Sequence, residues 1–335
     1  MRGRGDEATR GGGGARRVIG RLGRRRGAIF RLLVSLGVLT FVLTTIGLER
    51  IGQVLLTASP GPILLAFLLF VAGIVVRAAR WRVLLRALGV HVPFGRLVHL
   101  YFAGTFFNAF LPSGFGGDVV RVLEIAQEAR AAAALGTVVV DRMTGLMVLF
   151  AMALLALPFS RRLLPWEVWL AIGGMAAAGL VAGGLVLHGR WLRRLGDRLP
   201  GPFSLTGSGA LARAYDAVTA CGWRAVGQAL ALSLVFNTLL ILVNYLTALA
   251  VGMRLSLVYF LLFVPVFSVM LILPVSIGGL GVREGMAVLL FTQVGVDRAV
   301  AVAASLAVYA VSRATGLLGG LLYLVQSLRA LRSPR

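Results

Sequence analysis

A chain of 335 residues, 59% of them hydrophobic, with a positive mean hydropathy, is not a soluble domain whose apolar positions merely fill a core. The formal charge of +22 would suggest a nucleic-acid partner if it sat on a polar domain, but the arginines fall between apolar runs, so no nucleic acid is expected and the charges read as topology signals. A single cysteine, Cys221, rules out an intrachain disulfide or a cysteine metal site, and His91, His99 and His188 have no partner at ligand spacing, so no metal or other cofactor is expected.

Residues 1–28 are Arg- and Gly-rich and read as a disordered cytoplasmic tail. The run from about Ala28 to Leu48 is longer than a signal-peptide core and is predicted as a first membrane helix. A second apolar run, Ile63 to about Val76, ends in a basic cluster of Arg77, Arg80, Arg82 and Arg86, followed by Arg96. Leu97 to Leu111 is apolar but short for a span, and 118–130 is amphipathic, with Asp118, Arg121, Glu124 and Glu128 at helical spacing. Long apolar runs follow at about 133–157, 168–187 and 225–251, with a polar, arginine-bearing loop at 188–224. A further apolar approach covers 255–273, a short segment 284–296, and a last span about 299–325, before a basic tail at 327–335.

Two copies of one phrase organise these runs. Residues 111–121 and 273–283 both read L-P-x-x-x-G-G-x-x-V-R, and each is followed by an R-x-T-G-L echo, Arg142 to Leu146 and Arg313 to Leu317. The chain reads as an internal duplication, with repeat one at about 97–157 and repeat two at about 256–325 inside a membrane domain of 29–326. Pro112 and Pro274 lack an amide hydrogen and the Gly pairs loosen the backbone, so a helix breaks at each phrase. If each phrase is the tip of a re-entrant hairpin, the tail, the 77–96 cluster, the 188–224 loop and the C-terminus share one face, as the excess of arginine on the cytoplasmic side requires. The expected fold is all-α and polytopic, with about six full spans and two re-entrant hairpins related as an inverted repeat, both termini cytoplasmic in the cell membrane.

A helix that restarts after Gly-Gly offers free N–H groups and a positive dipole end, with Arg121 or Arg283 about one turn on, which suits an anion such as phosphate. The same glycines also suit close helix packing. Asp118 either caps its helix or serves the site, and Arg121 with Glu124 either serves it or pairs on a solvated face. Asp141, Arg142, Arg283, Glu284 and Arg313 lie in apolar runs, where unneeded charges are costly, and are expected to be buried and paired; adjacent Asp141 and Arg142 point about 100° apart and need different partners. The candidate substrate-binding set is Asn108, Gly116, Gly117, Asp118, Arg121, Asp141, Arg142, Gly278, Gly279, Arg283, Glu284 and Arg313, while Asn237 and Asn244 either line a path or bond across helices. No hydrolase elbow, phosphate loop or H-E-x-x-H motif occurs, so no catalytic residue is assigned.

Three stretches resemble the transmembrane, flippase-like region of the lysylphosphatidylglycerol synthase family, also called the multiple peptide resistance factor: Asn108 to Arg121 (N-x-x-L-P-x-x-x-G-G-D-x-x-R), Asp141-Arg142 with Thr144-Gly145-Leu146, and Pro274 to Gly285 (P-V-S-I-G-G-L-G-V-R-E-G). The resemblance covers roughly residues 30–330 and implies an integral membrane protein that moves phospholipids or lipid-linked headgroups between leaflets. Bifunctional members carry a C-terminal aminoacyl-transferase domain; this chain stops at Arg335, so that activity is not expected of it. The leading expectation is a non-enzymatic flippase or scramblase whose partners are membrane lipids: an anionic phospholipid, an aminoacylated phospholipid or a polyprenyl phosphate. Its phosphate would rest on Arg121, Arg283 and the two helix starts. An intramembrane enzyme acting on a lipid phosphate and a scaffold for envelope-lipid synthesis are the alternatives, and a homo-oligomer is compatible with the sequence.

Overall fold

The computed structural model describes residues 40, 48–110, 116–125, 131–188, 216, 218–272 and 279–332; the expected first span and most of the 188–224 loop lie outside them, as do Pro112, Pro274 and Gly278. The described residues form ten α-helices: α1 (Leu48–Leu56), α2 (Pro60–Ala87), α3 (Phe94–Phe110), α4 (Gly116–Ile125), α5 (Ala131–Ala156), α6 (Trp166–His188), α7 (Gly222–Ala250), α8 (Leu257–Ile272), α9 (Val282–Thr292) and α10 (Arg298–Arg332). A 3₁₀ turn, Leu157–Ser160, follows α5. Five helices are long and apolar enough to cross a bilayer: Pro60–Ala87, Ala133–Ser160, Trp166–Leu187, Gly222–Ala250 and Arg298–Leu322. These are the second to sixth of the expected spans, and the chain is an all-α, multi-pass membrane protein. Their outward residues suit lipid: Leu64 and Leu68 on α2, Leu234 and Val235 on α7, and Leu317 and Leu321 on α10 are all exposed. Exposed Trp166 and Trp223 stand at the starts of α6 and α7, where amphipathic rings suit the membrane–water boundary.

One boundary differs from expectation. The second apolar run does not stop at Val76; α2 continues to Ala87 and carries Arg80 into the interior, where it is 3% exposed. Arginine there reads as a boundary only if nothing inside the protein can pair with it, and Asp141 does.

Helices α2 and α7 pack side by side and run in opposite directions. Ala66 shares a cluster with Val243, Gly73 lies against Phe236, Arg80 bonds Ser233, and Leu84 clusters with Val226 and Ala229. Both helices end the same way. Gly89 and Gly252 take φ of 76° and 84°, and the amide of the next residue bonds a carbonyl five positions back, Val90 to Leu85 and Met253 to Ala248.

The two phrases each mark a helical hairpin. In the first, α4 returns along α3: Gly117 packs against Gly104, Arg121 stacks on Tyr101, and Ile125 joins Leu97 and Leu100 in one cluster. In the second, α9 returns along α8, with the Phe291 ring 5.8 Å from Phe260, 5.4 Å from Phe263 and 6.0 Å from Phe267. With 10 and 11 residues, α4 and α9 are about 15 Å long, half a bilayer core. The first helix of each hairpin packs on the last helix of the other repeat, α3 on α10 and α8 on α5. The α3–α10 contact depends on small residues: Gly319 lies so near the Phe102 carbonyl that a Cβ would overlap it, and Gly316 and Gly320 face Thr105 and Phe106.

Gly319→Ala is therefore expected to destabilise the detergent-solubilised protein by about 1–3 kcal/mol through overpacking. Gly174→Ala, where a Cβ meets open space, is expected to be neutral or stabilising by up to about 1 kcal/mol. Thermal unfolding of the two variants beside wild type checks the contrast; equal shifts would contradict the packing.

Candidate functional site

The site is built around a carboxylate. Asp141, on α5, is fully enclosed and is reached from three other helices. Arg80 of α2 donates from Nε to Oδ1 at 2.6 Å, the Tyr101 hydroxyl of α3 donates to Oδ2 at 2.8 Å, and an Arg121 Nη2 of α4 stands 3.8 Å from Oδ2. Arg80 continues the chain of bonds to α7, its Nη1 donating to the Ser233 hydroxyl at 2.8 Å. A buried ion of this kind survives only when its lone pairs and its countercharge are both supplied, which happens here. The glycine of the first echo, Gly145, makes room: a Cβ there would lie 3.0 Å from Arg80 Nη1.

Asp118 forms a second centre beside it. Arg121 donates to its Oδ1 at 2.6 Å from the same short helix, and Arg142 of α5 pairs with its Oδ2. Arg121 is 1% exposed, and its guanidinium lies over the rings of Tyr101 at 4.0 Å and Trp81 at 4.7 Å. Helix α4 is thus inside out relative to a soluble helix: Asp118 and Arg121 face inward while Val119 and Leu123 are exposed, as a lipid-facing helix with a polar interior requires. The solvated alternative for Arg121 does not hold.

Both hairpin helices have their first free amide answered by the chain itself. The Gly117 N–H donates to Asn108 Oδ1 at 2.6 Å, and the Gly281 N–H donates to Glu284 Oε2 at 2.6 Å. One of the free donors at each helix start is thus taken by a neighbouring side chain. Glu284 is fully buried and also accepts from the Ser305 hydroxyl at 3.2 Å. Arg283 donates to Asn244 Oδ1 at 3.3 Å and borders a narrow crevice of about 10 Å³.

Between the two hairpins lies a polar cavity of about 350 Å³. Arg77 and Arg80 of α2, Arg142 of α5 and Arg313 of α10 line it, together with Asp141. Asn108 reaches its wall from the first hairpin, Gly279 and Ser268 from the second, and Asn237 from α7. Asn237 Nδ2 donates to the Gly145 carbonyl at 2.8 Å, while Asn244 bonds back to Leu240 on its own helix.

These helices and their order carry a family relationship. The family described as Lysylphosphatidylglycerol synthase TM region matches residues 28–320. The chain belongs to this family. Two curated relatives are similar over one stretch: a UPF0104 membrane protein of Methanocaldococcus jannaschii, 32% identical over 114 residues, which are 33% of this chain and 34% of that protein, and a UPF0104 membrane protein of Pyrococcus horikoshii, 33% identical over 98 residues, 28% and 29% of the two chains. The similarity spans about a third of each relative.

Of the candidate residues, the structure brings Asn108, Asp141, Arg142, Gly279 and Arg313 to one cavity wall. It sets Gly116, Gly117, Asp118 and Arg121 outside that wall as packing and pairing residues, and places Arg283 at a separate crevice, with Glu284 bonded to Ser305 of the crevice lining. The arginines of the two phrases therefore line no common cavity among the described residues; the arginines of the two R-x-T-G-L echoes, Arg142 and Arg313, do. In each echo the threonine hydroxyl bonds back to a carbonyl four residues earlier, Thr144 to Val140 and Thr315 to Val311, and the glycine takes the close approach of a neighbour. Sequence reasoning missed Arg77, Arg80, Tyr101 and Ser233. A signal for Arg77 and Arg80 was available in their spacing, which continues the stripe of Phe67 and Phe70 along α2.

Removing one partner of the hub leaves the others charged and buried, so Asp141→Leu is expected to cost about 3–5 kcal/mol of stability. Arg80→Met in the same chain is expected to recover part of that loss, read as non-additive shifts in thermal unfolding of the two single variants and the double. Additive shifts would contradict a direct pair.

Proposed function

We propose that this protein moves lipids between the leaflets of the cell membrane, taking the phosphate-bearing headgroup into the cavity between the two hairpins while the acyl chains stay in the bilayer. The observation that carries the reading is a polar cavity of about 350 Å³ with four arginines on its wall in a protein whose outer surface is apolar. Charged groups at membrane depth are costly and mark the path of a charged cargo. Arg142 and Arg313, one from each repeat, contact the phosphate; Asp118 holds Arg142 in place and Asp141 holds Arg80; Arg283, through Asn244, and Glu284, through Ser305, tether the second hairpin to α7 and α10.

The reading extends to topology. The two repeats are related as an inverted pair, the hairpins enter from opposite faces, and both chain ends are cytoplasmic. The antiparallel packing of α2 on α7 and the exchange of partners between α3–α10 and α8–α5 support that relation. Family membership supports a role in lipid handling at the membrane.

Leaflet exchange of fluorescent phosphatidylglycerol, aminoacylated phosphatidylglycerol and a polyprenyl phosphate, followed in liposomes that hold the purified protein, tests the proposal. Wild type is expected to exchange at least one of these lipids, and Arg142→Ala or Arg313→Ala to slow that exchange tenfold or more. Absence of exchange for all three lipids by folded protein, with and without an imposed proton gradient, would sink the reading.

A further inference from the structure

The cavity carries more positive charge than the described residues answer. Arg77, Arg80, Arg142 and Arg313 line it and Arg121 stands behind Asp141, so five guanidinium groups face two carboxylates, Asp118 and Asp141. Three positive charges are left over. Arginine does not give up its proton in proteins, so the excess cannot be relieved by ionisation. Arg283 and Glu284, adjacent on α9, add no net charge.

The excess sits on two particular side chains. Among the described residues no carboxylate lies within ion-pair distance of Arg77 or Arg313, and the buried Nε of each has no hydrogen-bond partner. Each is held by aromatic faces: Arg77 lies 4.9 Å from the Tyr101 centroid and 5.5 Å from Phe236, and Arg313 lies 4.4 Å from Tyr309. Stacking fixes the guanidinium plane and leaves its N–H donors for an acceptor in the cavity. On the same stripe of α2, past Phe70, an apolar groove of about 670 Å³ runs between Phe67 and Leu64 on one side and Val311 and Ala314 on the other. The groove and the arginine cavity share no lining residue but are neighbours along two helices, Phe67 beside Phe70 on α2 and Ala314 beside Arg313 on α10, so an apolar surface fit for a hydrocarbon tail lies next to the arginines.

Resting on the reading of this cavity as a headgroup site, we propose that its preferred ligand is a lipid whose headgroup carries at least two negative charges, a phosphomonoester or diphosphate on a long apolar tail. A phosphodiester such as phosphatidylglycerol brings one charge and leaves two arginines unanswered. An aminoacylated phosphatidylglycerol brings cationic amines against an existing positive excess and is disfavoured. A phosphomonoester brings nearly two charges at neutral pH and three acceptor oxygens.

The test is equilibrium binding to the purified full chain in neutral detergent, by isothermal titration, with farnesyl phosphate as the probe. Farnesyl phosphate is expected to bind at least tenfold tighter than phosphatidylglycerol and tighter still than lysyl-phosphatidylglycerol. That preference is expected to shrink between pH 8 and pH 5, as the probe takes up its second proton near pH 6. Arg77→Gln with Arg313→Gln is expected to bring farnesyl phosphate down to the affinity of phosphatidylglycerol. Equal binding of phosphatidylglycerol, or tighter binding of the lysyl lipid, by wild type would overturn the proposal whatever the variant does. Inorganic phosphate competing as well as farnesyl phosphate would overturn its lipid half. Farnesyl phosphate preference in a protein that exchanges no lipid would remove only the translocation reading, and exchange of phosphatidylglycerol with no preference for the dianion would remove only this one.

Discussion

The polar network that joins the first hairpin to its neighbours depends on one enclosed carboxylate. Asp141 sits at full burial among apolar helices, where an ion without partners would be lost to its desolvation cost, and it is kept by Arg80, Tyr101 and Arg121 from three different helices. Because Arg80 also bonds Ser233, the same set joins α2, α3, α4, α5 and α7. A hub of this kind sets register as well as stability, since a helix shifted by one residue would strand a charge in a medium that cannot solvate it. Of the cavity arginines, Arg80 takes its position directly from that constraint.

The two phrases of like sequence sit in different surroundings. Both phrases make a hairpin, and both first amides are answered from within, by Asn108 in one and Glu284 in the other. After that they diverge. Arg121 turns inward to Asp118 and Asp141, whereas Arg283 reaches Asn244 across a crevice too small for more than a water molecule. The less conspicuous echo is the one that keeps its geometry. Arg142 and Arg313 both reach the cavity, each beside a threonine that folds its hydroxyl onto its own helix and a glycine that admits a neighbouring element.

What could be read from the sequence follows from what is local. Apolar run length is a property of one segment, so the spans from Pro60 to Leu322 were legible, as was the breaking of two helices at Gly-rich phrases. That Asp141 and Arg142 need separate partners followed from helix geometry and matches their pairing with Arg80 and Asp118. The partners themselves were not legible. Arg80 lies 61 residues from Asp141, and at the end of an apolar run it has the appearance of a membrane boundary. The role of Arg77 depends on Tyr101 and Phe236 approaching from other helices, which no spacing along α2 contains. Likewise, the Gly117 amide looked free for a ligand until the fold brought Asn108 to it.

The account stands on a cavity that is wet, lies at membrane depth and is positively charged. The most direct measurement is the reactivity of a cysteine on its wall: Ser312→Cys in a Cys221→Ser background, treated with a small anionic and a small cationic methanethiosulfonate, each rate normalised to that with a free thiol in solution. An arginine-rich cavity predicts reaction with both reagents, at least tenfold faster with the anion, and a difference that narrows as salt is raised. Equal rates, a preference for the cation, or no reaction at all would contradict it.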